Sequence, residues 1–108
     1  MLFRLKLYIL LPFSVFLIGC AYYNTFYNAE QYFEEAEKLR LEKDGGIIPI
    51  SAMDKYGKTI EKSNKVIQEF PDSRYVQEAR LLMSKARYYR SDYDMAIADL
   101  RVIINNGP

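Results

Sequence analysis

The sequence predicts an all-α protein built from helical hairpins, and three observations carry that expectation. Beyond residue 25, apolar residues recur at steps of three and four, the spacing of one helix face. No stretch sustains the two-residue alternation of a strand, so no sheet is expected. The helical segments also repeat, the second aligning with the fourth at an offset of 37 and the first with the third at an offset of 50. Self-similarity with two helices per unit is the mark of a helical solenoid. At 108 residues, half of them apolar and 27% charged, the chain has ordinary globular composition and is one domain by default.

The first segment is of a different kind. Arg4 and Lys6 are the only charges before Cys20, and Leu7 to Ile18 is almost wholly apolar. A short basic region, an apolar run and a small residue form the layout of a secretory signal. Leu17-Ile18-Gly19-Cys20 resembles the lipobox of bacterial lipoproteins. The resemblance implies cleavage between Gly19 and Cys20 and a diacylglycerol on the Cys20 sulfur. Residues 1–19 are then a signal peptide, 20–24 a lipidated N-terminus with a short tether, and 25–108 the repeat domain. Two alternatives stay open. One is an uncleaved anchor, although a run of about 12 residues is short against the ~20 a span needs. The other is a structural Cys.

The first helix is expected from Thr25 to Lys43, with Phe26, Ala29, Tyr32, Phe33, Ala36 and Leu39 on one face and charges on the other. Asp44-Gly45-Gly46 stops it, since glycine readily takes the left-handed conformation at a helix end. The second helix starts at Ser51, where Ser51-Ala52-Met53-Asp54 resembles a capping box. It carries Met53, Tyr56, Ile60, Ser63, Ile67 and Phe70 on one face, with Val66 beside them. Pro71-Asp72-Ser73 breaks the chain and supplies N-cap candidates for the third helix. That helix carries Tyr75, Val76, Ala79, Leu82, Met83, Ala86 and Tyr89. Ser91-Asp92-Tyr93-Asp94 reads as another cap. The fourth helix carries Tyr93, Ala96, Ile97, Leu100, Ile103 and Ile104, with Asp99 expected on its solvent face.

In the repeat, Tyr56 falls on Tyr93, Ile60 on Ile97, Val66 on Ile103 and Ile67 on Ile104; Ala29 falls on Ala79, Phe33 on Met83 and Ala36 on Ala86. Asp92-Tyr93-Asp94-Met95-Ala96-Ile97, followed by Pro108, resembles the second half of a tetratricopeptide repeat. Ser91 stands where that family usually has Gly, Arg80 replaces an aromatic, and Ile103 replaces a small residue. With Glu69-Phe70-Pro71-Asp72-Ser73-Arg74-Tyr75, the chain is similar to tetratricopeptide lipoproteins of the BamD outer-membrane-assembly type. The resemblance implies a ligand-facing set of Glu78, Leu81, Lys85, Tyr88 and Tyr89. Asn28, Gln31, Glu35, Lys38 and Leu39 are the matching set of the earlier repeat.

Catalytic chemistry finds no support. Without His, His-based triads and the common zinc sites are excluded, and a single Cys allows no intrachain disulfide. Glu34-Glu35 and Asp92/Asp94 read as a solvated face and a helix start. Asp44-Gly45-Gly46 lacks the Gly-Lys-Ser/Thr of a phosphate loop. After Cys20 there are 13 basic and 14 acidic residues, a net charge of −1, which offers no electrostatic case for nucleic acid. Nine tyrosines follow Cys20, and Tyr22, Tyr23 and Tyr27 either sit at lipid headgroups or pack on the helices.

The expected protein is therefore a non-enzymatic scaffold without a cofactor beyond the lipid on Cys20. The family resemblance implies the periplasmic face of the bacterial outer membrane and the binding of proteins or peptides there. A scaffold of another envelope complex, and an accessory to an enzyme domain beyond residue 108, are the rival readings. Two helix pairs are fewer than repeat arrays generally need. The last helix is expected to expose part of Leu100, Ile103 and Ile104, so the domain alone should be marginally stable or self-associate.

Overall fold

The computed structural model describes the backbone of residues 2–43 and 45–106, and side chains for residues 22–43 and 45–106. The lipidation expected on the Cys20 side chain, the side chains of the expected signal segment, Asp44 and Pro108 lie outside that description. Four helices follow in order: α1 (Leu2–Leu41), α2 (Ile50–Glu69), α3 (Val76–Tyr89) and α4 (Tyr93–Asn106). No strand occurs among the described residues. The first helix is longer at its start than the periodicity predicts, its backbone running through Pro12 and Gly19. Each helix packs on the next, and α1 also reaches α3, while α4 packs on α3 alone.

Small residues set these approaches. Ala29, Ala36, Ala52, Ala79 and Ala86 are fully buried and Ala96 nearly so. An alanine at a crossing lets neighbouring helix axes come close, and larger side chains fill the space beside it. Two clusters result. Phe26, Val66, Ile67, Ala79 and Met83 form one. Ala36, Ala52, Tyr56 and Ala86 form the other, flanked by Phe33, Leu39 and Tyr89. Each large apolar side chain buried here contributes about 1.5–3 kcal/mol. Tyr22 and Phe26 pack against Tyr75, with centroids 5.9 and 4.8 Å apart, and Tyr22 also meets Phe70 at 5.7 Å. Tyr23 and Tyr27 stack on each other and stay about half exposed.

Three helix ends differ from expectation. No side chain caps α2: it opens at Ile50 from an extended Pro49, whose carbonyl accepts from the Met53 N–H at 3.0 Å. Ser51 therefore lies inside the first turn and builds no capping box. The N-cap of α3 is Tyr75, again without a side-chain bond, and the Ser73 hydroxyl has no partner. Ser91 belongs to the end of α3 and does not cap α4. It sits at φ 65°, its N–H donates to the Tyr88 carbonyl at 3.0 Å, and the Asp92 N–H donates to the Arg87 carbonyl at 2.8 Å. These two bonds are the Schellman closure, in which glycine normally holds the left-handed position. Past α1, Gly45 takes the left-handed conformation, at φ 77°.

The fourth helix carries the largest correction. Asp99 is buried, because it turns toward α3 and pairs with Arg87. Ala96 is buried beside it, and Tyr93, Ile97, Leu100 and Ile104 are left substantially exposed. Tyr56 and Ile67, the counterparts that the sequence alignment gives Tyr93 and Ile104 on α2, are buried because α2 lies against both α1 and α3. A helix with one neighbour buries only one side of its apolar arc.

Candidate functional site

A groove of about 590 Å³ opens between α1, α3 and α4. From α3 come Leu81, Ser84, Lys85, Tyr88 and Tyr89; from α4, Tyr93, Ala96, Ile97 and Leu100; from α1, Phe33 and Glu37. Apolar and aromatic side chains dominate its walls, and Glu37 and Lys85 are the charged groups at its edge. Tyr88 is the central aromatic, meeting Tyr89 at 5.3 Å and Tyr93 at 5.5 Å, both edge-on. It is 57% exposed and Tyr93 52%. Such rings present large apolar area with hydroxyls at the rim, the mixture common at protein-binding surfaces.

Beneath Tyr89 the groove rests on a polar network. The buried Tyr56 hydroxyl donates to Glu37 Oε1 at 2.6 Å and accepts from Arg40 Nε at 3.0 Å. Arg40 Nη2 closes the triangle on Glu37 Oε2 at 2.5 Å. The Arg40 guanidinium lies 4.1 Å above the Tyr89 ring, which stacks on Tyr56 at 5.2 Å, while Phe33 meets Tyr56 edge-on at 5.8 Å. Burial, reinforced by the Glu37 carboxylate, pushes the Tyr56 hydroxyl pKa well above its ordinary value, against the opposing pull of Arg40. The hydrogen bond to Glu37 in turn holds the Arg40 guanidinium more firmly protonated. The rotamers of Tyr89 and Glu37 are thus fixed by partners behind the groove.

Of the residues marked in the sequence, Leu81, Lys85, Tyr88 and Tyr89 line the groove. Glu78 does not. It lies exposed near Glu30, whose carboxyl pKa is raised by burial and then by the neighbouring Glu34 and Glu78. None of Asn28, Gln31, Glu35, Lys38 and Leu39 lines the groove. Glu35 instead holds Lys55 at 2.9 Å, and Leu39 packs beside the Tyr56 cluster. The sequence reading missed Phe33, Glu37 and the α4 residues as groove walls. The i,i+3 spacing of Glu37 and Arg40 signals their ion pair, but nothing along the chain signals that Tyr56 joins it. No set of residues suited to hold a metal ion occurs among the described residues. No helix among them is long and apolar enough to cross a membrane.

No family model, no curated protein and no solved structure matches this chain.

Proposed function

We propose that this chain is a lipid-anchored, non-enzymatic scaffold whose helical hairpins are tetratricopeptide-like and whose groove binds an apolar segment of a partner protein. The observation that carries the reading is the open groove walled by Tyr88, Tyr89, Tyr93, Leu81 and Ile97. Tyr89 among its walls is fixed from behind by the Tyr56–Glu37–Arg40 network, so that ring loses little side-chain entropy on binding. The alanines matched between first and third helices, Ala29 with Ala79 and Ala36 with Ala86, are all buried, which supports the repeat reading. The Leu17–Cys20 motif supports the anchor, and several acyl chains hold a protein to a bilayer at ~0.8 kcal/mol per buried CH₂. By family resemblance the site of action is the periplasmic face of the outer membrane, in assembly of its proteins.

Two experiments test the reading. Expression with labelled palmitate should label the wild type and leave Cys20→Ser unlabelled; equal labelling of both refutes the anchor. Capture of the full chain from envelope membranes should retain a protein partner that is lost with Leu81→Glu and with Tyr88→Ala, both exposed positions. A partner retained by both variants places binding outside the groove.

A further inference from the structure

Tyr93, Ile97, Leu100 and Ile104 follow one another on α4 at steps of four, three and four. That is the spacing of the apolar seam in a coiled coil. The four are 52, 47, 40 and 75% exposed, and three of them also line the groove. The face that α4 turns to α3 lies to one side, at Ala96 and Asp99, and apart from the Tyr93–Tyr88 ring contact the seam lies open among the described residues.

We propose that a second copy of the chain covers this seam, its α4 lying antiparallel to the first about a twofold axis. The proposal rests on the groove being a protein-binding surface and names its occupant. Charge selects that occupant. Asp94 and Arg101 are seven residues apart, so they flank one edge of the seam at equivalent positions, and both are exposed. Neither has an ion-pair partner among the described residues. An antiparallel pair that sets Ile97 opposite Leu100, and Tyr93 opposite Ile104, brings Asp94 of each copy to Arg101 of the other. A twofold interface makes this contact twice, because the same patch serves both copies. A parallel pair sets these charges against the other edge, where Ala96 and Ile103 stand, and forms neither bridge.

The test is a charge exchange in the full chain, read by sedimentation in density-matched detergent with reductant present to keep Cys20 from cross-linking. Wild type should form a dimer. Asp94→Arg and Arg101→Asp should each weaken it at least about tenfold, since each replaces two attractions with two repulsions. An equimolar mixture of the two single variants should recover the dimer as a mixed pair, and the double variant Asp94→Arg/Arg101→Asp should recover it alone. Unchanged helicity by circular dichroism separates loss of pairing from loss of fold. A monomeric wild type overturns the proposal, and so does a dimer indifferent to these charges. Partner capture that depends on Leu81 and Tyr88 in a monomeric protein leaves the groove reading standing with another occupant. Loss of both dimer and groove-dependent capture removes both.

Discussion

Arg87 Nη1 and Asp99 Oδ2 lie 2.6 Å apart across the α3–α4 contact, with side chains only 14% and 10% exposed. The pair is the polar fastening of the last helix. By periodicity Asp99 belongs to a solvent face, yet it is enclosed with its counter-ion. Removing one member of a buried pair leaves the other charge desolvated and unpaired, which costs more than the pair itself is worth. Asp99→Ala should therefore destabilise by about 2–4 kcal/mol, where a surface acid would change stability by less than about 0.5 kcal/mol. Denaturant titration gives the number. Replacing both residues by apolar ones of similar size, Arg87→Met with Asp99→Leu, should recover most of the loss.

Ala96 packs beside that ion pair at 4% exposure. Ala96→Phe should overpack the α3–α4 contact at a cost of about 1–3 kcal/mol. A thermal melt unchanged from wild type would mean that α4 can slide away from α3 freely.

Ser91 holds the left-handed position of the Schellman closure at φ 65°, where a Cβ is unfavourable. Glycine has no Cβ to strain. Ser91→Gly should raise stability by about 0.5–1 kcal/mol, net of the extra freedom glycine has when unfolded. Loss of stability in the melt would show that the Ser91 side chain has a role the backbone geometry does not reveal.

The Ser63 hydroxyl is fully buried on α2 and has no hydrogen-bond partner. An unmade hydrogen bond in the core carries the full desolvation penalty of the group. Ser63→Ala keeps the small volume that the crossing needs, removes the hydroxyl and favours the helix. It should stabilise by about 1 kcal/mol. The neighbouring Thr59, whose hydroxyl donates to the Lys55 carbonyl at 3.0 Å, should show no such gain when changed to Val.

Tyr56 sets an alkaline limit. Its pKa is raised in the folded protein, so below the unfolded value of about 10 its contribution to stability is fully present. Above that pH the unfolded chain loses the tyrosine proton while the folded chain keeps it, and stability falls until the folded group also ionises. Unfolding free energy measured from pH 8 to 11.5 should decline more steeply for wild type than for Tyr56→Phe. Parallel slopes for the two proteins would show that Tyr56 is not held protonated by the fold.

Much of this architecture is legible in the order of residues. Steps of three and four mark the helical faces, glycine and proline mark the breaks, and the alanines on the apolar faces of the first and third helices are buried. Four of the five groove residues on α3 come from the resemblance to tetratricopeptide repeats and not from spacing alone. Local spacing cannot say which neighbour a face meets. Tyr56 and Tyr93 hold matched places in the sequence, yet one is buried between two helices and the other opens to solvent beside one. Asp99 looks like a surface acid until Arg87 is brought to it from α3, and Ser51 looks like a cap until Pro49 starts the helix ahead of it. Phe33 and Glu37 become groove walls only because α1 returns beside α3. Periodicity fixes the angle of a side chain about its own helix axis, whereas burial, ion pairing and the shape of a groove depend on where the other axes lie, which only the packing of the whole chain decides.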